Sequence, residues 1–306
     1  MPPPRGTPHI LLGPGDYDVT TKVHSDTYPA IDPSTQDFSG KCVFISGGSK
    51  GIGRVMALSF AKAGASRIAV GARSDLTQLG KDIAAAAGEA GHSKTPEFLP
   101  LRLDVTDRQS VEAAAKVIED KFGHCDVVVN NAGILGTFKL LADSDPDEWR
   151  RTFDVNFFGQ YLIIRSFIPL LLRSSNTSRY LVNVSSVAAH LLNPTGSAYE
   201  LSKTGVTRLS QLVDAEYGPQ GIICFSVHPG NTPTDIMGGP EGLNEAQKIA
   251  FTETPEIGAH SVVFLTGERR DWLKGRYINC TWDMPELVGM QQRIVDKDLF
   301  KVRLAF

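Results

Sequence analysis

The feature that most constrains this chain is a short apolar run that ends in glycines and leads straight into an alanine-rich helical stretch. The run is Lys41–Ser46, and the turn after it reads Gly47-Gly48-Ser49-Lys50-Gly51-Ile52-Gly53. Six more short runs rich in β-branched residues follow, at residues 66–72, 100–105, 125–130, 178–185, 222–227 and 275–279. Helical stretches separate them, running to Ala90 and then over 107–122, 145–172, 197–217 and 244–265. Strands apolar on both faces and separated by helices imply a parallel sheet covered on both sides. The expected fold class is therefore α/β, one doubly wound domain over residues 40–279.

The chain has 306 residues, which by length alone fits one large domain or two small ones. No internal repeat or low-complexity linker interrupts 40–279, so no second domain is expected. Residues 1–39 hold seven of the 18 prolines. They read as an arm that is ordered only where it lies against the core or a partner subunit. Residues 280–306 form a C-terminal segment, expected near the substrate pocket or a subunit interface.

The formal charge is −3, without the basic excess of a protein built around nucleic-acid electrostatics. No apolar stretch reaches the ~20 residues of a bilayer span, the longest, 161–172, being interrupted by Arg165 and Pro169. The N-terminus lacks the pattern of a secretory signal. A cytoplasmic protein with neither nucleic-acid nor membrane partner is the expectation. Cys42, Cys125, Cys224 and Cys280 form no metal-binding spacing, so no metal site is expected.

Glycines at the first strand–helix junction let backbone N–H groups approach a pyrophosphate at a helix N-terminus. In NAD-preferring folds an acidic residue ends the second strand and binds the ribose 2′-hydroxyl. Here that strand runs into Arg73 and Ser74 with no carboxylate. A guanidinium suits a 2′-phosphate by charge and by its forked donors. Lys50 in the glycine turn is expected as a second cation near that phosphate. NADP(H) is therefore the expected cofactor.

Tyr199 and Lys203 stand four residues apart, on one face of a helical stretch. An ammonium beside a phenol lowers its pKa and makes it a proton donor or acceptor for an alcohol oxygen. Thirteen residues upstream, at the end of the fifth run, lie Ser185 and Ser186. The fourth run ends in Asn130-Asn131-Ala132-Gly133, and the next helical stretch carries Asn156. After the sixth run comes His228-Pro229-Gly230-Asn231-Thr232-Pro233-Thr234.

With these motifs in this order, the chain resembles the short-chain dehydrogenase/reductase family over about Gly40 to Asn279. The resemblance implies a single Rossmann-type domain with sheet order 3-2-1-4-5-6-7. It implies Tyr199 as catalytic acid/base, Lys203 as the residue that tunes it and holds the nicotinamide ribose, and Ser186 as the hydrogen-bond partner of the substrate oxygen. Asn156 would hold a proton-relay water. The cofactor would meet Ser46, Gly47, Ser49, Lys50, Gly51, Ile52, Gly53, Arg73 and Ser74. It would also meet Asp104 and Val105 near the adenine, Asn130, Ala132 and Gly133 on the sheet side, and Pro229, Gly230, Thr232 and Thr234 on the nicotinamide side. The expected reaction is hydride transfer between nicotinamide and a small carbonyl or secondary alcohol, with ketone or aldehyde reduction leading. Family members are usually homodimers or homotetramers.

Two positions depart from the family pattern. Ser46 replaces the usual threonine and keeps its hydroxyl. His190 replaces a substrate-side glycine, and either meets a polar substrate group or joins the proton chemistry, or else caps a loop or touches solvent. Leu135, Leu191, Asn193 and Asn231 are pocket candidates by position, and residues 235–251 resemble a mobile substrate loop. Trp282 either closes the pocket or packs against a neighbouring subunit. The C-terminal segment is similar, more loosely, to fungal secondary-metabolism reductases. Two other readings keep the fold: a tailoring enzyme doing epimerisation, dehydration or cyclisation, and a cofactor-binding regulator without turnover.

Overall fold

In a computed structural model, which describes Gly13 and residues 16–304, seven parallel strands form one sheet in the order β3-β2-β1-β4-β5-β6-β7. They are β1 Cys42–Ser46, β2 Arg67–Ala72, β3 Glu97–Arg102, β4 Val127–Asn130, β5 Arg179–Val184, β6 Ile222–His228 and β7 Tyr277–Asn279. The order reverses between β1 and β4, and at such a crevice open α/β sheets bind their ligands. The first residues of the sequence lie outside the described ones.

Helices cover both faces. On one side α1 (Gly51–Lys62), α2 (Thr77–Glu89) and α8 (Pro255–Gly267) pack on alternate residues of the strands, among them Val43, Ile45, Val70 and Phe225. On the other, α3 (Arg108–Phe122), α5 (Gly159–Arg173) and α6 (Ser197–Tyr217) pack on Phe44, Ala69, Val128 and Leu181. Burial on both faces explains why the central strands read as unbroken apolar runs.

Three boundaries differ from the sequence expectation. β3 begins at Glu97, three residues before the expected Pro100, and contains that proline. It tolerates Pro100 because it is an edge strand, where a missing N–H breaks no ladder on the open side. The expected helix over 145–172 is α4 (Pro146–Phe153), a π turn at Asp154–Phe158 and α5. This continuous stretch, Pro146–Arg173, is long and apolar enough to cross a bilayer by length and composition, contrary to the sequence reading. Its α5 portion buries Ile163, Phe167 and Leu171 beneath the sheet. The stretch over 244–265 breaks at Thr254-Pro255 into α7 (Glu245–Ala250) and α8, because proline starts a helix well and continues one poorly.

The arm and the C-terminal segment are sewn to each other. Val23 bridges Trp282, and the His24 N–H donates to the Thr281 carbonyl at 2.7 Å. His24 pairs with Asp283 at 2.9 Å, and the Met284 N–H donates to the Tyr28 hydroxyl at 2.7 Å, beside α9 (Met284–Gly289) and α10 (Gln291–Asp296). Ile31 and Phe38 are fully buried in the core.

Candidate active site

The glycine turn sits where β1 feeds α1. Gly47 has φ +69°, and a Cβ there would come within 2.8 Å of the Ala132 Cα. A Cβ on Gly53 would collide with the Asn131 amide. Glycine is needed at both because the turn packs on the loop after β4. Ser46 fastens the same junction: its fully buried hydroxyl accepts from the Asn131 and Ala132 N–H groups at 3.0 and 3.2 Å. Asn131, which no motif argument singled out, returns its side-chain amide to the Ser46 and Gly47 carbonyls. Asn130 lies behind this wall rather than on it, fully buried and donating to the Gln160 carbonyl and the Asn183 amide oxygen.

The N-cap of α1 is Lys50, whose side chain makes no capping bond, and the first turn holds no acidic residue. The leading N–H groups of α1, at Gly51, Ile52 and Gly53, thus have the orientation that favours an anion. Ser49 lies at the same turn. Thr234 arches over it: a Cβ on Gly51 would lie 3.7 Å from the Thr234 side chain.

Beyond the ends of β2 and β3, a cleft of about 410 Å³ is lined by Arg73, Arg102, Asp104, Asp107 and Ser110. Ser74 follows, exposed, at its edge. Thr106 donates to Asp104 and, with the lesser help of Arg73, holds its carboxyl below the usual range. Val105 is buried against Gly159. Arg102 carries no motif signal, and only pairing with Ala72 brings it beside Arg73. Lys50 departs from expectation. Its ammonium lies 3.4 Å from the Asp235 carboxylate, across the mouth of the site, and both groups are exposed.

The chemistry-bearing side chains converge beyond the ends of β4 and β5. Ser186 follows β5 directly and is buried, its oxygen accepting from the Ala188 N–H at 3.2 Å. The first turn of α6 brings Tyr199 within hydrogen-bonding reach of Ser186. Burial pushes the Tyr199 phenol up, and the Ser186 bond works against that rise. The expected pull of the Lys203 ammonium does not dominate. Lys203 instead donates to the Val184 carbonyl at 3.0 Å and lies 5.7 Å from the Tyr199 ring centre. It is itself buried, which brings its pKa down to about 8.

Asn156 sits in the π turn, the kind of helix irregularity that recurs at functional sites. Its amide accepts from the Ile134 N–H and donates to the Ile134 carbonyl, both at 2.8 Å, and also reaches the Ser202 hydroxyl. A Cβ on Gly133 would stand 3.2 Å from the Asn156 oxygen and 3.5 Å from the Lys203 nitrogen. Glycine at 133 keeps that approach open.

The loops around this group come from several elements. Leu135 and Leu191 are half-buried, whereas Asn193 is exposed. The Asn193 N–H donates to Glu200 at 3.0 Å, pinning the loop to α6. His190 is exposed on its loop, yet it lies edge-on to Tyr277, ring centres 4.3 Å apart, and partial desolvation there lowers its pKa. After β6, Pro229 packs on Gly258, and Gly230, at φ +99°, packs against Glu253. Thr232 donates weakly to the Thr254 carbonyl at 3.4 Å. The Asn231 N–H donates to the buried Glu253 carboxylate at 3.0 Å. Trp282 does not line the cleft. It is 1% exposed, packs on Tyr277 and Phe300, and donates to the Asp16 carbonyl.

A sequence profile described as short chain dehydrogenase matches residues 41–241. The chain is 62% identical over 306 residues to the short chain dehydrogenase pigC of Monascus ruber, with 100% of both chains covered. It is 58% identical over 295 residues to the short chain dehydrogenase tazN of Aspergillus terreus, covering 96% of this chain and 63% of that protein. This chain therefore spans less than two thirds of that relative. A crystal structure of a short-chain type dehydrogenase/reductase from Mycobacterium marinum superposes with a TM-score of 0.72 at 25% identity, covering 82% of this chain and 97% of that one. Carveol dehydrogenase from Mycobacterium avium in complex with NAD gives 0.69 at 20% identity over 80% and 97% of the two chains, a likeness of fold. The seven-stranded sheet and the full-length relatives together place this chain in the short-chain dehydrogenase family of oxidoreductases, whose members bind a nicotinamide dinucleotide.

Proposed function

We propose that the protein is an NADP(H)-dependent reductase of ketones or aldehydes. The observation that carries this reading is the convergence of Ser186, Tyr199 and Lys203 beyond the end of β5, with Asn156 locked in the π turn beside them. The residues present fit the cofactor. The uncapped N-terminus of α1 suits a pyrophosphate, and the cleft holding Arg73 and Arg102 suits an adenosine carrying a 2′-phosphate. Arg102 takes the place expected of Lys50 as the second cation.

When bound, the nicotinamide supplies a hydride to the carbonyl carbon, or removes one from the alcohol in the reverse direction. Ser186 orients the carbonyl oxygen by a hydrogen bond. Tyr199 gives that oxygen its phenolic proton as negative charge develops there. Burial favours the protonated phenol, which suits a proton donor and hence reduction. Lys203, its pKa brought down to about 8 by burial, returns a proton toward Tyr199. The Asn156 side chain is committed to Ile134 and Ser202, so its part is to hold the turn, leaving main-chain carbonyls to hold a relay water.

NADPH oxidation tested against a panel of ketones and aldehydes decides the reading. Turnover with some of them, faster with NADPH than with NADH, is expected. Absence of turnover across the panel while NADPH still binds would turn the assignment toward a non-redox reaction on the same scaffold.

A further inference from the structure

Tyr277 and His228 are buried polar residues that the proposed reaction does not use. They share a face of the sheet by register: Ser226 pairs with Tyr277 and His228 with Asn279 across β6 and β7. Cys224, two and four residues before Ser226 and His228, packs in the cluster beneath α5 and α6, so β6 turns this face toward the helix that bears Tyr199 and Lys203, while the Tyr277 ring at the sheet edge also packs on Trp282. His228 is 2% exposed and Tyr277 is 4% exposed. Neither ring nitrogen of His228 has a hydrogen-bond partner among the described residues, and neither does the Tyr277 hydroxyl.

Their neighbour Asn279 is different. It donates to the Asp16 carbonyl and carboxylate at 3.2 Å and accepts from Thr281 at 2.9 Å. The arm thus satisfies one polar residue of this face and leaves His228, Tyr277 and the smaller Ser226 hydroxyl without a partner among the described residues. An unmet buried polar group is costly, and groups of this kind are rare away from places where a ligand or water completes them.

The two groups also stand beside the reacting residues. His190, on the loop that begins at Ser186, lies edge-on to Tyr277. Tyr277 is close enough to Tyr199 for that phenol to oppose its ionisation, and His228 is an electrostatic neighbour of His190. Burial holds His228 neutral, its pKa down to about 3, and pushes Tyr277 up. A neutral imidazole offers one donor and one acceptor, and a phenol offers both. An ionised Asp16, whose charge reaches Tyr277, disfavours a further anionic group there.

We propose that His228 and Tyr277 form a neutral hydrogen-bonding subsite for a second oxygen of the substrate, a hydroxyl or carbonyl near the group that reacts at Tyr199. The substrate class is then an uncharged ketone or aldehyde bearing a further oxygen function, not a lone carbonyl and not a carboxylate. This rests on the reductase reading for the reacting carbonyl, while the subsite itself is open to a binding test that needs no turnover.

Diacetone alcohol and methyl isobutyl ketone differ by one hydroxyl and serve as probes. Each is titrated calorimetrically into the NADP⁺-saturated enzyme and followed separately as a substrate with NADPH. Diacetone alcohol is expected to bind about tenfold more tightly or better, because the ketone without the hydroxyl leaves the buried groups unmet. Tyr277→Phe, which removes only one oxygen, and His228→Gln should each bring the ratio towards unity, with the unfolding midpoint showing that the fold is kept. Equal binding of the two probes, or a ratio unchanged in Tyr277→Phe, would overturn the subsite. A binding preference without turnover of either probe would sustain the subsite and count against the reductase reading.

Discussion

The Tyr17 hydroxyl, on the N-terminal arm, donates to the Glu253 carboxylate at 3.2 Å across 236 positions of sequence. The same carboxylate accepts from the Asn231 N–H, so one buried acid ties the arm to the loop after β6. Burial raises Glu253 to about 7, with the Asp16 charge adding to the rise, and burial brings Asp16 to about 7 as well.

This arrangement makes the docking of the arm pH-dependent. A carboxyl whose folded pKa lies above its unfolded value is protonated more readily in the folded state. Its favourable contribution is full below the unfolded pKa and is lost as pH rises through about 7. Buried His228, with a pKa near 3, contributes in the opposite sense, its penalty growing as pH falls below its unfolded value. The comparison of wild type with Glu253→Gln therefore isolates the acid. Between about pH 5 and about pH 8 the wild type should lose stability relative to the variant in denaturant unfolding. Parallel pH profiles would refute the role.

Tyr199→Phe keeps the ring and removes the proton. The kcat should fall by about a hundredfold to ten-thousandfold, the range of general acid catalysis, while NADPH affinity measured by titration stays close to that of wild type. Full activity in this variant would dismiss Tyr199 as the proton donor.

Arg73→Ala and Arg102→Ala each remove a guanidinium from the cleft beyond β2 and β3. Each should weaken NADPH binding by roughly tenfold to a hundredfold, the worth of a charge-assisted hydrogen bond, and leave NADH nearly unchanged. Equal losses for both cofactors would remove the 2′-phosphate from the account.

Ser46→Ala leaves the Asn131 and Ala132 N–H groups without their acceptor in a fully buried place. A loss of about 1–3 kcal/mol in denaturant unfolding is expected, with Ser46→Thr losing less because the hydroxyl remains. A neutral Ser46→Ala would mean that water enters the junction.

The fold was legible because its signals are local. Short apolar runs alternating with helices specify a covered parallel sheet, and glycines at one junction specify a turn that tolerates no side chain. Pro100 misled the boundary of β3 because the sequence does not say which strand lies at an edge. Arg102 was invisible for a related reason: its neighbour Arg73 is distant in sequence and adjacent only through strand pairing.

The sequence by itself determined the order of the motifs and the chemical types at the ends of the strands. Tyr199 and Lys203 were readable as a pair because helical periodicity fixes which residues share a face. Tertiary structure alone decided which charges and hydrogen bonds meet across the cleft. It turned Lys50 towards Asp235, gave Lys203 the Val184 carbonyl, buried Trp282 under the arm, and left His228 and Tyr277 unmet beside the reacting group. Local propensity has a short range along the chain, whereas desolvation and electrostatics depend on every group that folding brings near.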